Sequence, residues 1–225
     1  MDNSLTVFKQ PTAVCYVVFF TLCLLFPCCS DDNEQGITEF IIEMAVAHVN
    51  ADRIYFQLDN GTTLFPETLP DQYRSRLTDR QRVLLQYYPL KTNTSGFDET
   101  VRVYSLSNVP VLPIKRLTEN DSNMPGIEPM ELESIWISGN YINMSCYIYA
   151  DTVAHTISLV NNLSATYPDD GRLYLEIRHS TNGDFPAFRR KMLLSFDASS
   201  LEKGQALACI VHTFDGQKVY YRVYK

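Results

Sequence analysis

Most of what would mark this chain as an enzyme or a nucleic-acid binder is missing. No G-x-S-x-G, Walker A or G-x-G-x-x-G sequence occurs, so there are no motif grounds for a serine hydrolase, a P-loop enzyme or a dinucleotide oxidoreductase. The four histidines are scattered, and neither C-x-x-C nor H-x-x-x-H spacing is present, which argues against a metal site. Basic residues are outnumbered, 19 Lys and Arg against 26 Asp and Glu, for a net charge of -7, and they form no stripe. Nucleic-acid binding needs clustered cations to displace counterions, so no nucleic-acid partner is expected. There is one tryptophan, and there are no heptads, internal repeats or low-complexity tracts.

What is present is an ordinary globular composition, 45% hydrophobic and 20% charged, in 225 residues. That length suits one large domain or two small ones. The 14 tyrosines and 12 phenylalanines lean toward strands.

Residues 12–28 form an uncharged apolar run with Lys9 just before it, the layout of a signal peptide. A short transmembrane anchor is the alternative, but the run falls short of about 20 apolar residues and Pro27 breaks its end. The acidic Ser30-Asp31-Asp32 follows, where a membrane anchor would more often carry basic residues. Leu25-Phe26-Pro27-Cys28-Cys29 resembles a lipobox, with Phe26 and Pro27 in place of the usual small residues. This resemblance implies a lipoprotein signal peptide over 1–28 and Cys29 as the lipid anchor. The acidic stretch behind Cys29 resembles that of lipoproteins of Gram-negative anaerobes, which implies the outer membrane or cell surface. Several acyl chains on one cysteine are enough for stable attachment. Two other thiols, Cys146 and Cys209, lie on alternating strand segments and are read either as a disulfide or as two buried free thiols.

After residue 37 the pattern is short strands and turns. Thr38–Val49, Arg53–Leu58, Thr62–Phe65, Arg82–Tyr88 and Glu99–Leu106 give five strands, the count for a small OB-like barrel over 37–112. Asp59-Asn60-Gly61 reads as a type I′ hairpin turn. Pro110 and Pro113 open a lapse leading to the linker at 118–129. Seven further strands, beginning near Ser134 and ending at Lys218–Tyr224, predict an antiparallel β-sandwich over 130–225. The fold class expected is all-β.

Leu58-Asp59-Asn60-Gly61-Thr62-Thr63-Leu64-Phe65-Pro66, Ile135 through Asn143, Leu175-Glu176-Ile177-Arg178-His179 with Gly183-Asp184, Ser195-Phe196-Asp197 and Phe214-Asp215-Gly216 occur in an order that resembles the NigD-like lipoproteins. The resemblance implies an N-terminal OB-like domain, a C-terminal β-sandwich and an envelope location. It does not imply a known activity.

Three residues stand out as candidate binding groups. His179 with Asp184 could make an acid–base pair, although Asn182-Gly183-Asp184 is also ordinary turn chemistry. Trp136 could stack on a sugar, or serve as an interdomain anchor. The tyrosines could line a glycan-binding face, or simply the outer face of strands. The expectation is a non-catalytic protein without cofactor or metal. Its partners would be the membrane, through its acyl chains, and an oligosaccharide or envelope protein. The alternative is a bacteriocin-associated immunity or secretion accessory.

Overall fold

The structure, a computed structural model, describes residues 40–224 except 52, 93 and 120–125. The signal-peptide and Cys29 expectations lie outside the described residues.

The first domain is a closed barrel of β1 (Ile41–Val49), β2 (Ile54–Leu58), β3 (Thr63–Thr68), β4 (Arg82–Pro89) and β5 (Glu99–Asn108), ordered β1-β2-β3-β5-β4 with β4 returning to β1. All neighbours are antiparallel except β3 and β5. Alternation does the sorting. On β4, Val83, Leu85 and Tyr87 turn into a core shared with Ala45, Ala47, Phe56, Leu64 and Val101. Arg82 and Leu84 have the opposite parity and face outward. The single-turn helix α1 (Asp71–Arg74) lies between Leu69 and Leu77, which are both buried in the same core.

The second domain is one eight-stranded sheet folded over its own core. It comprises β6 (Val111–Leu117), β7 (Glu131–Ser138), β8 (Tyr141–Ala150), β9 (Thr156–Asn162), β10 (Leu173–Ser180), β11 (Phe188–Asp197), β12 (Ala206–Thr213) and β13 (Gly216–Val223). Their order is β13-β12-β10-β9-β6-β11-β8-β7. β6 belongs to both halves: Val111–Pro113 pairs with β11, and Ile114–Leu117 pairs with β9. The two halves enclose Ile142, Met144, Leu159, Leu175, Phe196 and Leu207. The ends of the sheet are tied together where Arg222 of β13 donates from Nε and Nη2 to the carbonyl of Ile135 on β7, at 3.0 and 2.8 Å.

The architecture is the expected all-β barrel followed by a sandwich, with differences of detail. The lapse at Pro110 and Pro113 is a strand of the larger sheet. Pro113 has no N–H to give a ladder, and it sits where β6 changes partners, a position that tolerates the loss. The sandwich is also not purely antiparallel, because β6 runs parallel to β9 and β11, and β10 runs parallel to β12.

The turn at Asp59 differs too. Asn60 is not in the left-handed region, Gly61 has φ 94°, and Gly61 N–H bonds the Leu58 carbonyl at 2.9 Å. This is a type I turn with a glycine bulge rather than type I′.

Candidate functional site

Three of the sequence segments that carried the family resemblance meet on one side chain. Arg82 of β4 is only 1% exposed. Its Nη1 and Nη2 donate to the two carboxylate oxygens of Asp59 at 2.7 Å each. Nη2 also reaches Asn143 Oδ1 at 3.1 Å, and Nε donates to Ser195 Oγ at 2.9 Å. The guanidinium plane lies 3.8 Å from the centre of the Tyr141 ring. Ser195 Oγ donates to Asn143 Oδ1 at 2.7 Å, Asn143 Nδ2 donates to Ser138 Oγ at 2.8 Å, and Ser138 Oγ donates to Asp59. Asp59 and Arg82 come from the barrel, and the others come from β7, β8 and β11 of the sandwich. A bidentate arginine with a hydrogen bond at each of its three nitrogens is the arrangement in which a buried charge is tolerated. The network therefore fixes the two domains against each other.

Beside this junction is an open cleft of about 1310 Å³. Its barrel wall includes His48, Gln57, Asn60 and Arg80, and its sandwich wall includes Trp136, Asn140, Tyr141, Arg172, Lys203, Tyr221 and Arg222. Trp136, half-buried on β7, also lines a neighbouring hollow of about 760 Å³ that shares Asp59, Asn60 and Ser138 with the cleft. It thus stands at the domain junction and borders both spaces. His48 stacks on Tyr55 with ring centres 4.6 Å apart, and its Nε2 is buried with no hydrogen-bond partner among the described residues.

The other two candidates are elsewhere. His179 on β10 is 2% exposed, and neither it nor Asp184 is among the residues lining the cleft. They are joined through His155: His179 Nε2 lies 2.8 Å from His155 Nδ1, and His155 Nε2 lies 3.3 Å from Asp184 Oδ2. His179 Nδ1 lies 3.1 Å from the Glu128 carbonyl. A carbonyl only accepts, so His179 Nδ1 carries a proton. Burial lowers the His179 pKa from its ordinary value, so the ring is neutral and its Nε2 accepts from His155. His155 Nδ1 therefore donates to His179, and its Nε2 faces the Asp184 carboxylate.

Burial pushes the Asp184 carboxyl up. The N–H groups of Val153, Asp151 and Thr152, at 3.0, 2.6 and 3.2 Å, outweigh this and hold it at about 2. Every ring nitrogen is occupied, so the cluster has neither a free base nor room for a metal. It ties the segment at Glu128 to β10.

The tyrosines form no single platform. Tyr87 and Tyr224 are buried, Tyr147 lies under Arg189 on the outer face of β8, and only Tyr141 and Tyr221 reach the cleft. Cys146 and Cys209 are free buried thiols, pushed up by burial to about 12 and about 11. Sequence reasoning did not single out Arg82, Asp59, Asn143 or Ser195 as a site. For Arg82, Asn143 and Ser195 the available signal was a polar residue on a strand whose other face was already apolar, whereas Asp59 reads as a turn residue.

A closed five-stranded barrel joined to a folded eight-stranded sheet defines an OB-plus-β-sandwich protein. The NigD-like N-terminal OB domain matches residues 45–109 and the NigD-like C-terminal beta sandwich domain matches residues 112–224, so the chain belongs to the NigD-like family.

Several solved structures share the fold. A Bacteroides vulgatus protein of unknown function is 24% identical with a TM-score of 0.74, over 83% of this chain and 92% of that one. A candidate lipoprotein from Bacteroides fragilis is 16% identical with a TM-score of 0.61, over 83% and 98%. A NigD-like immunity protein from Bacteroides caccae is 16% identical with a TM-score of 0.54, over 83% and 92%. No curated protein matches the chain.

Proposed function

We propose that this is an exported, lipid-anchored envelope protein that binds an oligosaccharide without altering it, in the cleft between barrel and sandwich. The observation that carries the reading is the cleft itself. It combines one Trp, two Tyr and the amides of Gln57, Asn60 and Asn140. Flat rings with a few polar groups are what sugar recognition needs. The Arg82 network beneath holds both walls in place, so the site is formed before ligand arrives. The candidate lipoprotein of the same fold and the Cys29 reading support the anchor. A Cys29→Ser chain should be released from membranes or remain unprocessed.

Because Trp136 is the single tryptophan, its emission reports on the cleft directly. Titration of the chain lacking residues 1–29 with maltohexaose, xylohexaose, hexagalacturonate and a chondroitin sulfate hexasaccharide should give a saturable change with at least one of them. A flat response to all would sink the reading. Immunity is the second reading, supported by the fold shared with the NigD-like immunity protein. It predicts that deleting the gene sensitises the cell to a neighbouring toxin.

A further inference from the structure

We infer that the cleft selects oligosaccharides bearing carboxylate or sulfate groups, and that Arg80 and Lys203 read that charge. This rests on the binding reading above. The chain is acidic overall, with a net charge of -7, yet the cleft is the reverse. Arg80, Arg172, Lys203 and Arg222 line it, and Asp59 is the one carboxylate among its lining residues. Asp59 is already neutralised by Arg82.

Arg172 is paired with Asp170, and its guanidinium also lies 4.7 Å from the Tyr221 ring centre. Among the described residues, Arg80, Lys203 and Arg222 form no ion pair. Arg222 is committed to the Ile135 and Tyr221 carbonyls. Arg80 and Lys203 remain as uncompensated cations, one on each wall. Cations gathered in a concave surface raise the local concentration of anions well beyond what scattered charges achieve.

The backbone at Arg80 adds a second observation. Its φ is 60°, in the left-handed region that a non-glycine residue adopts only at a cost, and its N–H is held by the Ala47 carbonyl at 2.8 Å. A glycine would adopt this turn without that cost, so the arginine is present despite the local conformation rather than because of it. The orphaned Nε2 of His48 leaves a further polar group in the same wall without a partner.

The test compares hexagalacturonate with its fully methyl-esterified form, following Trp136 emission in the chain lacking residues 1–29. The acid form should bind at least about tenfold more tightly at low salt, the worth of one charged contact, and its advantage should shrink as salt is added. The chondroitin sulfate hexasaccharide, run in parallel, tells sulfate from carboxylate. Arg80→Gly relieves the strained turn and Lys203→Gln alters an exposed side chain, so both should fold. Each should lower affinity for the acid form by about tenfold and leave the methyl ester within about twofold. Equal binding of acid and ester, or undiminished binding of the acid form and the sulfated hexasaccharide by both variants, overturns the charge assignment but leaves oligosaccharide binding standing. A Trp136 signal that no saccharide moves overturns both.

Discussion

Two of the buried polar networks among the described residues differ in reach. The Arg82 network joins residues up to 113 positions apart and spans both domains. The His155–His179–Asp184 chain joins residues 24 and 29 positions apart and stays within the sandwich. The first fixes one domain on the other and so shapes the cleft between them. The second holds a connecting segment to a strand, through Glu128 N–H to the His179 carbonyl at 3.0 Å. A charge buried across a domain junction sets the placement of whole domains, whereas the second network sets only the segments packed around β10.

The largest effect should come from breaking the first network. Arg82→Met removes the charged donor from Asp59 and one donor each from Asn143 and Ser195, and should lower unfolding stability by about 3–5 kcal/mol, the cost of opening a buried ion pair from one side. Urea denaturation measures this. The double variant Arg82→Met with Asp59→Leu should recover part of the loss, because no lone charge remains. If the double variant is no more stable than the single one, the hydrogen bonds to Asn143 and Ser195 carry the junction and the ion pair does not.

The second network should give less. His179→Leu removes the acceptor for His155 and the donor to the Glu128 carbonyl, at about 1–3 kcal/mol. Hydrogen exchange should quicken at the Glu128 amide, with protection in the barrel unchanged. Protection lost in both domains would show that the two networks are coupled.

This network should also make the fold acid-sensitive, in two steps of the same sign. The His179 pKa lies below its ordinary 6.5 when folded, so the unfolded chain takes up that proton first, and stability falls as pH drops below about 6.5. Asp184 is held at about 2 instead of 3.8, so its contribution is full above about 4 and is lost between there and about 2. Urea midpoints followed against pH should show both limbs. His179→Leu should flatten the upper limb and Asp184→Asn the lower one.

How much of this was legible follows from the same contrast. The barrel strands were readable because β4 alternates cleanly, Val83, Leu85 and Tyr87 against Leu84 and Gln86. Alternation shows only which residues leave the barrel, not what they meet. Arg82 has outward parity, and a strand pattern cannot separate water from a second domain on that side. Asn143 and Ser145 look like solvent-facing alternates to Ile142 and Met144, yet both are buried. The turn at Asn182-Gly183 was readable from residue type, and it holds φ values of 53° and 81°. His155, the link between His179 and Asp184, was not readable because it lies on another segment. β6 escaped because Pro113 and the exposed Lys115 and Arg116 disguise a strand as a loop.

The smallest effect is also the finest test of the contrast, because each network has a glycine turn beside it. Gly139 turns the β7–β8 hairpin with φ 53°, and an added Cβ would lie 3.3 Å from Asp59 Oδ1. Gly183 turns the chain before Asp184 with φ 81°, and an added Cβ there would meet open space. Alanine at either position pays the conformational cost, about 1 kcal/mol. Only alanine at 139 also presses on the carboxylate that holds Arg82. Gly139→Ala should therefore cost more than Gly183→Ala, and it should shift Trp136 emission, since Trp136 lies on the same hairpin. Equal costs and an unmoved Trp136 would mean that the hairpin yields without disturbing Asp59, and that the junction is less tightly specified than its hydrogen bonds imply.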